Sequence, residues 1–521
     1  MDSEEIFKFC LENGLLVDKE VLKLFSESGD IESAKLIIRK IKNHTQQKII
    51  TKNLFYENKD KVNQFFDDLP EENRKGLEKL KIKLGLSIEI SREISTTEIK
   101  KDVQENIDGS VRITTMNQSF SKKIEVSDFV KYFRGRLNEM KSYLQENSQL
   151  DGLTSINKIS GEKQNFSIIG LVYEKRITKN KNILLDIEDL TGRVKVLISQ
   201  NKEDLYKKAE DITLDAVLGF KGSGNREIIF ANEIVFPDSI IQERKKSPFE
   251  EYALFTGDLH IGSKLFMKEN FLKFIDYLNG KILDTPEVSK IKYLFIVGDL
   301  IAGVGIYPGQ EEDLEFPDIE RQFEEAARIL SKIRKDIKII ISPGNHDALR
   351  IMEPQPLFDE KYAWPLYELE NVVLTGNPVS VNIGARKGFN GFNVLTYHGY
   401  SYHYYANVIP KLIIEKSVHT PEKIMAYLLK YRHLAPTHSS TLYFPSEEDQ
   451  FIIRDIPDIF VSGHTHKSAV TYYNNILIIS SSSWESLTPF QEKMGNQPDF
   501  CKVPMFNLKT RGIKVLDFEG E

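Results

Sequence analysis

Five short motifs in the second half of the chain follow one another in fixed order, each closing a hydrophobic run. They are Gly257-Asp258-Leu259-His260, Gly298-Asp299, Gly344-Asn345-His346-Asp347, Tyr397-His398-Gly399 and Gly463-His464-Thr465-His466. Five of the chain's ten histidines lie in them, and only His44 precedes residue 260. A loop at the end of a strand can aim a side chain at a common point while the strand fixes its base. The set offers carboxylates, an amide oxygen and imidazoles. That donor mixture suits Mn²⁺, Fe²⁺ or Zn²⁺ better than Mg²⁺ or Ca²⁺ alone. The motifs therefore predict a pair of divalent metal ions placed to cleave a phosphate ester.

The rest of the sequence bounds this reading. At 521 residues the chain should form two to four domains, one with a deep core. No apolar run is long enough to span a bilayer, and the acidic start Met1-Asp2-Ser3-Glu4-Glu5 is not that of a signal peptide. Cys10 and Cys501, far apart and alone, point to a reducing cytoplasm and against a thiolate metal site; each reads as a small buried hydrophobe. Seventy Lys+Arg against 77 Asp+Glu leave a net charge of −7. A protein gripping duplex DNA unaided would carry a basic surplus. A nucleic-acid substrate would thus need a local basic groove or a partner.

Along the chain, residues 1–75 read as a small helical domain. Phe7, Leu11 and Leu15, then Val21, Leu24 and Phe25, then Ala34, Ile37 and Ile38 recur at helical spacing. Residues 76–125 are polar, without a sustained apolar period, and read as a flexible linker. Residues 126–240 read as a helix followed by a barrel domain. Phe129, Phe133, Leu137, Met140 and Leu144 share one helical face. Strands expected near 166–172, 182–189, 193–198, 216–220 and 228–231, with a helix at 203–209, fit the five-stranded OB fold. Its basic loop 174–181 carries no aromatic residue for stacking on bases, so a purely structural barrel is as good a reading as a nucleic-acid-binding one. Arg244-Lys245-Lys246-Ser247-Pro248 reads as a hinge. Residues 241–521 then alternate strands and helices as in an α/β or α+β sandwich, with strands expected at 252–256, 293–297, 337–341, 394–397, 459–461 and 476–479.

The five motifs resemble the signature of calcineurin-like metallophosphoesterases. That resemblance implies that Asp258, His260 and His466 hold one metal, that Asn345, His398 and His464 hold the other, and that Asp299 bridges them. His346 would donate a proton to the leaving oxygen or steady the transition state. A narrower resemblance extends over most of the chain. The segment 128–136 (Asp-Phe-Val-Lys-Tyr-Phe-Arg-Gly-Arg), the OB-like region, the segment 428–436 and the closing Trp484…Pro489-Phe490-Gln491 are similar to the small subunit of the archaeal family-D DNA polymerase. This implies a 3′→5′ proofreading exonuclease with two divalent metal ions, Mn²⁺ first. It also implies a large catalytic polymerase subunit as partner, with single-stranded or frayed 3′ DNA ends as substrate and the sliding clamp as a further candidate partner. Two alternatives stay open: a standalone phosphodiesterase on small substrates, and a non-catalytic assembly subunit such as the eukaryotic B-subunits, which keep the architecture without the ligands. Tyr400–Tyr405 suits either base stacking or core packing, and His403, His433 and His438 read as structural.

Overall fold

The computed structural model describes residues 2–18, 21, 22, 35, 38, 39, 49, 50, 111–114 and 123–520, apart from 447 and 494. The chain divides into two compact units, residues 1–107 and 108–521.

In the first unit, helix Asp2–Glu12 precedes strand β1 (Leu16–Val17), which pairs in parallel with β2 (Ile49–Ile50). Ile6, Cys10 and Leu15 form the buried stripe, while Phe7 and Leu11, expected on that face, are exposed. Both pairs are four residues apart, so periodicity alone cannot choose between the two stripes. Val21 and Ile38 are buried; Leu24, Phe25, Ala34 and Ile37 lie outside the described residues.

The second unit opens inside the stretch read as linker. There β3 (Arg112–Ile113) adds an edge strand to a sheet, and Thr114 N–H donates to the Ser380 carbonyl. Helix Val126–Gln145 follows, burying Leu137, Met140 and Leu144 together with Tyr132 and Arg136. Five strands then close a barrel in the order β4 (Gln164–Ile177), β5 (Ile183–Asp189), β6 (Gly192–Ile198), β8 (Ile228–Val235) and β7 (Val217–Gly224). The long β4 pairs β7 through its first half and β5 through its second, with a register shift between Val172 and Glu174. Such a bulge bends a strand enough to turn a barrel's corner. Half of the expected basic loop is therefore strand.

Beyond the barrel lie two six-stranded mixed sheets. One runs β12 (Val372–Leu374), β11 (Lys338–Ser342), β10 (Ile291–Val297), β9 (Tyr252–Thr256), β18 (Lys502–Asn507) and β19 (Ile513–Asp517). The other runs β16 (Ala469–Tyr473), β17 (Ile476–Ser480), β15 (Ile459–Ser462), β14 (Phe392–Thr396), β13 (Val379–Ile383) and β3. Alternation along each strand sorts side chains to two faces. Phe255, Phe295 and Val297 of the first sheet share one core with Val394, Val461 and Ile479 of the second. Leu254, Leu294 and Ile296 point the other way, onto helices Lys268–Leu278 and Ile319–Leu330. On the far side of the second sheet, Leu395, Phe460 and Ile478 join helix Pro421–Tyr431 and the barrel interior in one continuous core.

Candidate metal centre

The strands that matter run parallel to their neighbours, so their carboxyl ends open on one side. β9, β10 and β11 are adjacent in the first sheet, and β14 and β15 in the second. All five motifs follow the ends of these strands. Backbone bonds lace the loops together: Asp258 N–H donates to the Gly298 carbonyl, Gly298 N–H to Ser342 and Gly463 N–H to His398.

Close approach explains two of the motif glycines. A Cβ on Gly298, whose φ is +81°, would lie 2.0 Å from His398 Nδ1, and one on Gly344 would lie 2.2 Å from Asp299 Oδ1. The candidate ligand residues themselves bear conformational strain. Asp258, His260, Asp299, His464 and His466 all have φ between 48° and 67°. Side chains other than glycine seldom adopt this region, and such outliers cluster at functional sites.

All seven expected ligands and His346 converge. His260 Nε2 is 3.2 Å from His466 Nε2, which is 3.5 Å from Asp258 Oδ1. Asp299 Oδ2 is 3.2 Å from His398 Nε2, 3.9 Å from His260 Nε2 and 4.0 Å from His346 Nε2. Asn345 Oδ1 lies 3.1 Å from His398 Nε2. The donors fall into overlapping groups: Asp258, His260 and His466; His260, Asp299 and His346; and Asp299, His398 and His464. Asp299 belongs to the last two, placing it between the first group and His464.

The chemistry of these donors fits divalent cations. His398 Nδ1 faces the Val297 carbonyl and His346 Nδ1 the Ala302 carbonyl, an arrangement that fixes the proton there and leaves Nε2 free to ligate or react. Burial, with His346 nearby, holds His260 well below the usual imidazole range, and burial with His398 does the same to His464. Both are thus neutral, as a ligand must be. Burial alone would raise Asp299, but His398 and His346 beside it hold it well down as an anion. Burial would likewise lower His398, yet Asp299 raises it to about 10, so a proton there balances the carboxylate that a cation would otherwise balance.

His260, Asp299, Asn345, His346, His464 and His466 line a cavity of about 590 Å³, walled also by Ile306, Tyr307, Leu314, Val418 and Pro498. His346 among them is partly exposed, with its backbone N–H on Asp299 Oδ1 at 2.8 Å.

Similarity to known proteins agrees with this frame. Residues 253–471 match a family model for the B subunit of DNA polymerase alpha/epsilon. The DNA polymerase II small subunit of Pyrococcus horikoshii is 37% identical over 88% of this chain and 74% of its own length. That of Methanothermobacter thermautotrophicus is 36% identical over 80% of this chain and 84% of its own. This chain belongs to the archaeal DNA polymerase II small-subunit family. The resemblance read from the sequence is borne out. With the Pyrococcus furiosus small subunit the identity is 39% over 76% of this chain, and the chain spans 65% of that relative's length.

Around the centre of this family member stand residues that sequence reasoning left without a role. Asp347 accepts from Ile301 N–H and Gly344 N–H, and burial together with Asp299 raises its carboxyl to about 7. Both of its oxygens are thereby spent on backbone N–H groups, one of them in the Gly344 loop. Gln491 lies 2.9 Å from His466 Nδ1, and Glu485 Oε2 lies 4.0 Å from His260 Nε2. Only the family-like closing segment hinted at these two. Of the residues set aside, His403 is close to the site, its ring centre 5.3 Å from that of His464. His433 and His438 are elsewhere, bonded to Asp449 and Tyr443. Tyr402 and Tyr405 are core residues, whereas Tyr400 tilts toward His464 at 5.7 Å.

Proposed function

We propose that this chain carries a 3′→5′ proofreading exonuclease that removes nucleotides from single-stranded or frayed DNA ends beside a large polymerase subunit. The observation that carries the proposal is the convergence of the complete donor set, Asp258, His260, Asp299, Asn345, His398, His464 and His466, beside one cavity that five of them, His260, Asp299, Asn345, His464 and His466, line. Asp258, His260 and His466 would hold one divalent ion, Asn345, His398 and His464 the other, and Asp299 both. Mn²⁺ is the first expectation, with Fe²⁺ and Zn²⁺ next. Such ions supply Lewis acidity and charge neutralisation at a phosphoryl group.

The chain's own residues account for the remainder of the chemistry. His346, its Nδ1–H donating to the Ala302 carbonyl, presents Nε2 to the cavity and, in its doubly protonated form, would pass the Nε2 proton to the leaving 3′ oxygen and return to the neutral ring; such general acid catalysis contributes roughly 10²–10⁴-fold. The apolar wall with Tyr307 suits a sugar and base, and the cavity's size suits an unpaired nucleotide rather than a duplex.

The barrel order β4-β5-β6-β8-β7 supports an OB fold within residues 126–240, followed by a metallophosphoesterase domain at 241–521. The net charge of −7 suits a subunit that borrows DNA affinity from its partner. The exposed Phe7 and Leu11 offer an apolar stripe to that partner or to a sliding clamp. Among the described residues no helix is long and apolar enough to cross a membrane.

The test uses the full chain, alone and with its large subunit. It is given a 3′-labelled single strand, a mismatched primer–template and a chromogenic phosphodiester, with and without Mn²⁺. Stepwise shortening that disappears in His346→Ala while metal uptake persists supports the reading. Cleavage of the small ester alone favours a standalone phosphodiesterase, and no cleavage of any substrate favours an assembly subunit.

A further inference from the structure

We propose that Asn377 and Gln355 are positioning residues for the metal centre. Their amides tie the His398 backbone to the Gly344 loop, set the spacing of Asn345 and His398, and so govern the affinity of the ion site assigned to those two and His464. This deepens the reading of the site as a metal centre and rests on it.

The need for such a tie follows from where the candidate ligands come from. Asn345 follows β11 in the first sheet, whereas His398 and His464 follow β14 and β15 in the second. β14 and β15 pair in parallel, so a backbone ladder holds the bases of His398 and His464 together. Among the described residues no strand pairing joins β11 to β14. Yet Asn345 Oδ1 lies 3.1 Å from His398 Nε2, and ligand distances in a metal site hold to within about 0.2 Å.

Two amides outside the five motifs make the bridge. Asn377, between β12 and β13, is 1% exposed, and Gln355, beyond the Gly344 loop, is 3% exposed. Asn377 Oδ1 accepts from the His398 backbone N–H at 2.8 Å. Its Nδ2 donates to Gln355 Oε1 at 2.9 Å and to Glu353 Oε1 at 3.1 Å. Gln355 Nε2 in turn donates at 2.9 Å to the carbonyl of Gly344, the residue before Asn345. Backbone bonds clamp the two segments: Gln355 N–H donates to the Asn377 carbonyl at 2.6 Å, and Asn377 N–H to the Gln355 carbonyl at 3.1 Å. The other Glu353 oxygen accepts from the Tyr397 hydroxyl at 3.1 Å, which anchors the residue before His398 to the same network.

An amide suits both positions because it accepts at one end and donates at the other. A carboxylate at 377 would set oxygen against the Gln355 and Glu353 oxygens. An apolar side chain there would leave the buried His398 N–H without its partner. The cavity is lined by Asn345 and not by these two amides, so they act through the candidate ligands rather than on substrate.

The experiment counts bound Mn²⁺ by the loss of the free-ion paramagnetic resonance signal, on metal-stripped full-length protein whose folding is checked by circular dichroism. Wild type is compared with the near-isosteric variants Asn377→Leu and Gln355→Met. The expected result is about a 10–100-fold weakening of one of two Mn²⁺ sites in each, the size of effect typical of groups that support a ligand shell. Placed in a His260→Ala background, Asn377→Leu should weaken the remaining site by the same factor. In a His398→Ala background it should change nothing, which a general loosening of the fold would not reproduce. Gln355→Met leaves the His398 bond in place and decides the matter should Asn377→Leu fail to fold. Folded variants that bind both ions as tightly as wild type, or that weaken both sites equally, overturn the inference and leave the metal centre standing. Wild type that takes up no Mn²⁺ overturns both.

Discussion

Arg136 Nε lies 2.6 Å from Asp449 Oδ2, joining a helix ahead of the barrel to a loop 313 residues later, with both side chains shut away from solvent. The same guanidinium reaches the Pro436 carbonyl and the Tyr132 hydroxyl, and His433 Nε2 bonds Asp449 Oδ2 at 2.9 Å. Fully partnered, such a network locks one arrangement; half removed, it strands a charge in a low-dielectric interior.

Arg136→Met should accordingly destabilise the second unit by about 3–5 kcal/mol, the usual cost of leaving one partner of a buried pair alone. Asp449→Leu should cost a similar amount. The double variant should recover much of the loss, since no charge is then stranded. Urea unfolding followed by tryptophan fluorescence reads all three. A double variant as unstable as the sum of the singles would refute the account.

His433 gives this network a pH dependence. Its Nδ1 accepts from Ala435 N–H at 3.0 Å, so the folded state requires the neutral ring, with the Nε2 proton on Asp449. Burial is the largest cause, and it lowers the imidazole from 6.5 to about 4 despite the nearby carboxylate. For a group depressed on folding, the unfolded chain binds the proton first as pH falls. Its stabilisation is whole above pH 6.5 and drains away toward about pH 4, on the order of 3 kcal/mol in all. Asp449, held far below its ordinary range, adds its own loss only at the lower end of that window, where the unfolded carboxylate begins to take up a proton as pH nears 4. In metal-free protein, urea midpoints for His433→Gln should fall less steeply than wild type between those pH values. Parallel slopes would disprove it.

What the sequence revealed and what it hid divide along physical lines. Candidate ligands such as Asp258 and His464 are legible because metal chemistry admits few residue types and strand ends mark their places. The barrel strands were legible because Val194, Val196 and Ile198 alternate inward with a period of two. The Arg136–Asp449 pair left no trace, since one arginine and one aspartate far apart carry no pattern. Arg112–Ile113 reads as linker in the sequence because an edge strand held by backbone bonds needs no apolar signature. Glu485 and Gln491 were missed as site residues for a similar reason. Residues that support ligands can be almost any polar type, and only the fold brings them near.

Gly344 should be intolerant of any side chain, for a reason local to the metal centre. A Cβ there meets Asp299 Oδ1 at 2.2 Å, the Asp299 backbone nitrogen at 2.5 Å and His398 Nε2 at 2.8 Å. Backbone on one side and ligand atoms on the other leave no room to give. Gly344→Ala should keep the fold, read by circular dichroism, yet lose about 10-fold or more in Mn²⁺ affinity, as displaced ligand shells do. Wild-type affinity would contradict the geometry.

Asp299 and Asp258 make the sharpest comparison, because they have the same chemistry and different neighbourhoods. Asp258 joins His260 and His466 alone among the donor groups, with His466 Nε2 at 3.5 Å, and spends both oxygens on the His464 backbone N–H at 3.0 Å. Asp299 Oδ2 faces His398, His260 and His346 within 4.0 Å, spanning both halves of the donor set, while Oδ1 holds the His346 backbone N–H. An amide in place of the Asp299 carboxylate removes the one anion that both halves share, so both ions lose their strongest electrostatic anchor. The same change at Asp258 weakens one half and leaves Asp299, His398 and His464 intact. Elemental analysis after dialysis should therefore find Asp299→Asn depleted of both metals and Asp258→Asn depleted of one. Nuclease activity should follow the same order, with Asp299→Asn the more complete loss. Equal metal content in the two variants would show that Asp299 does not serve both ions.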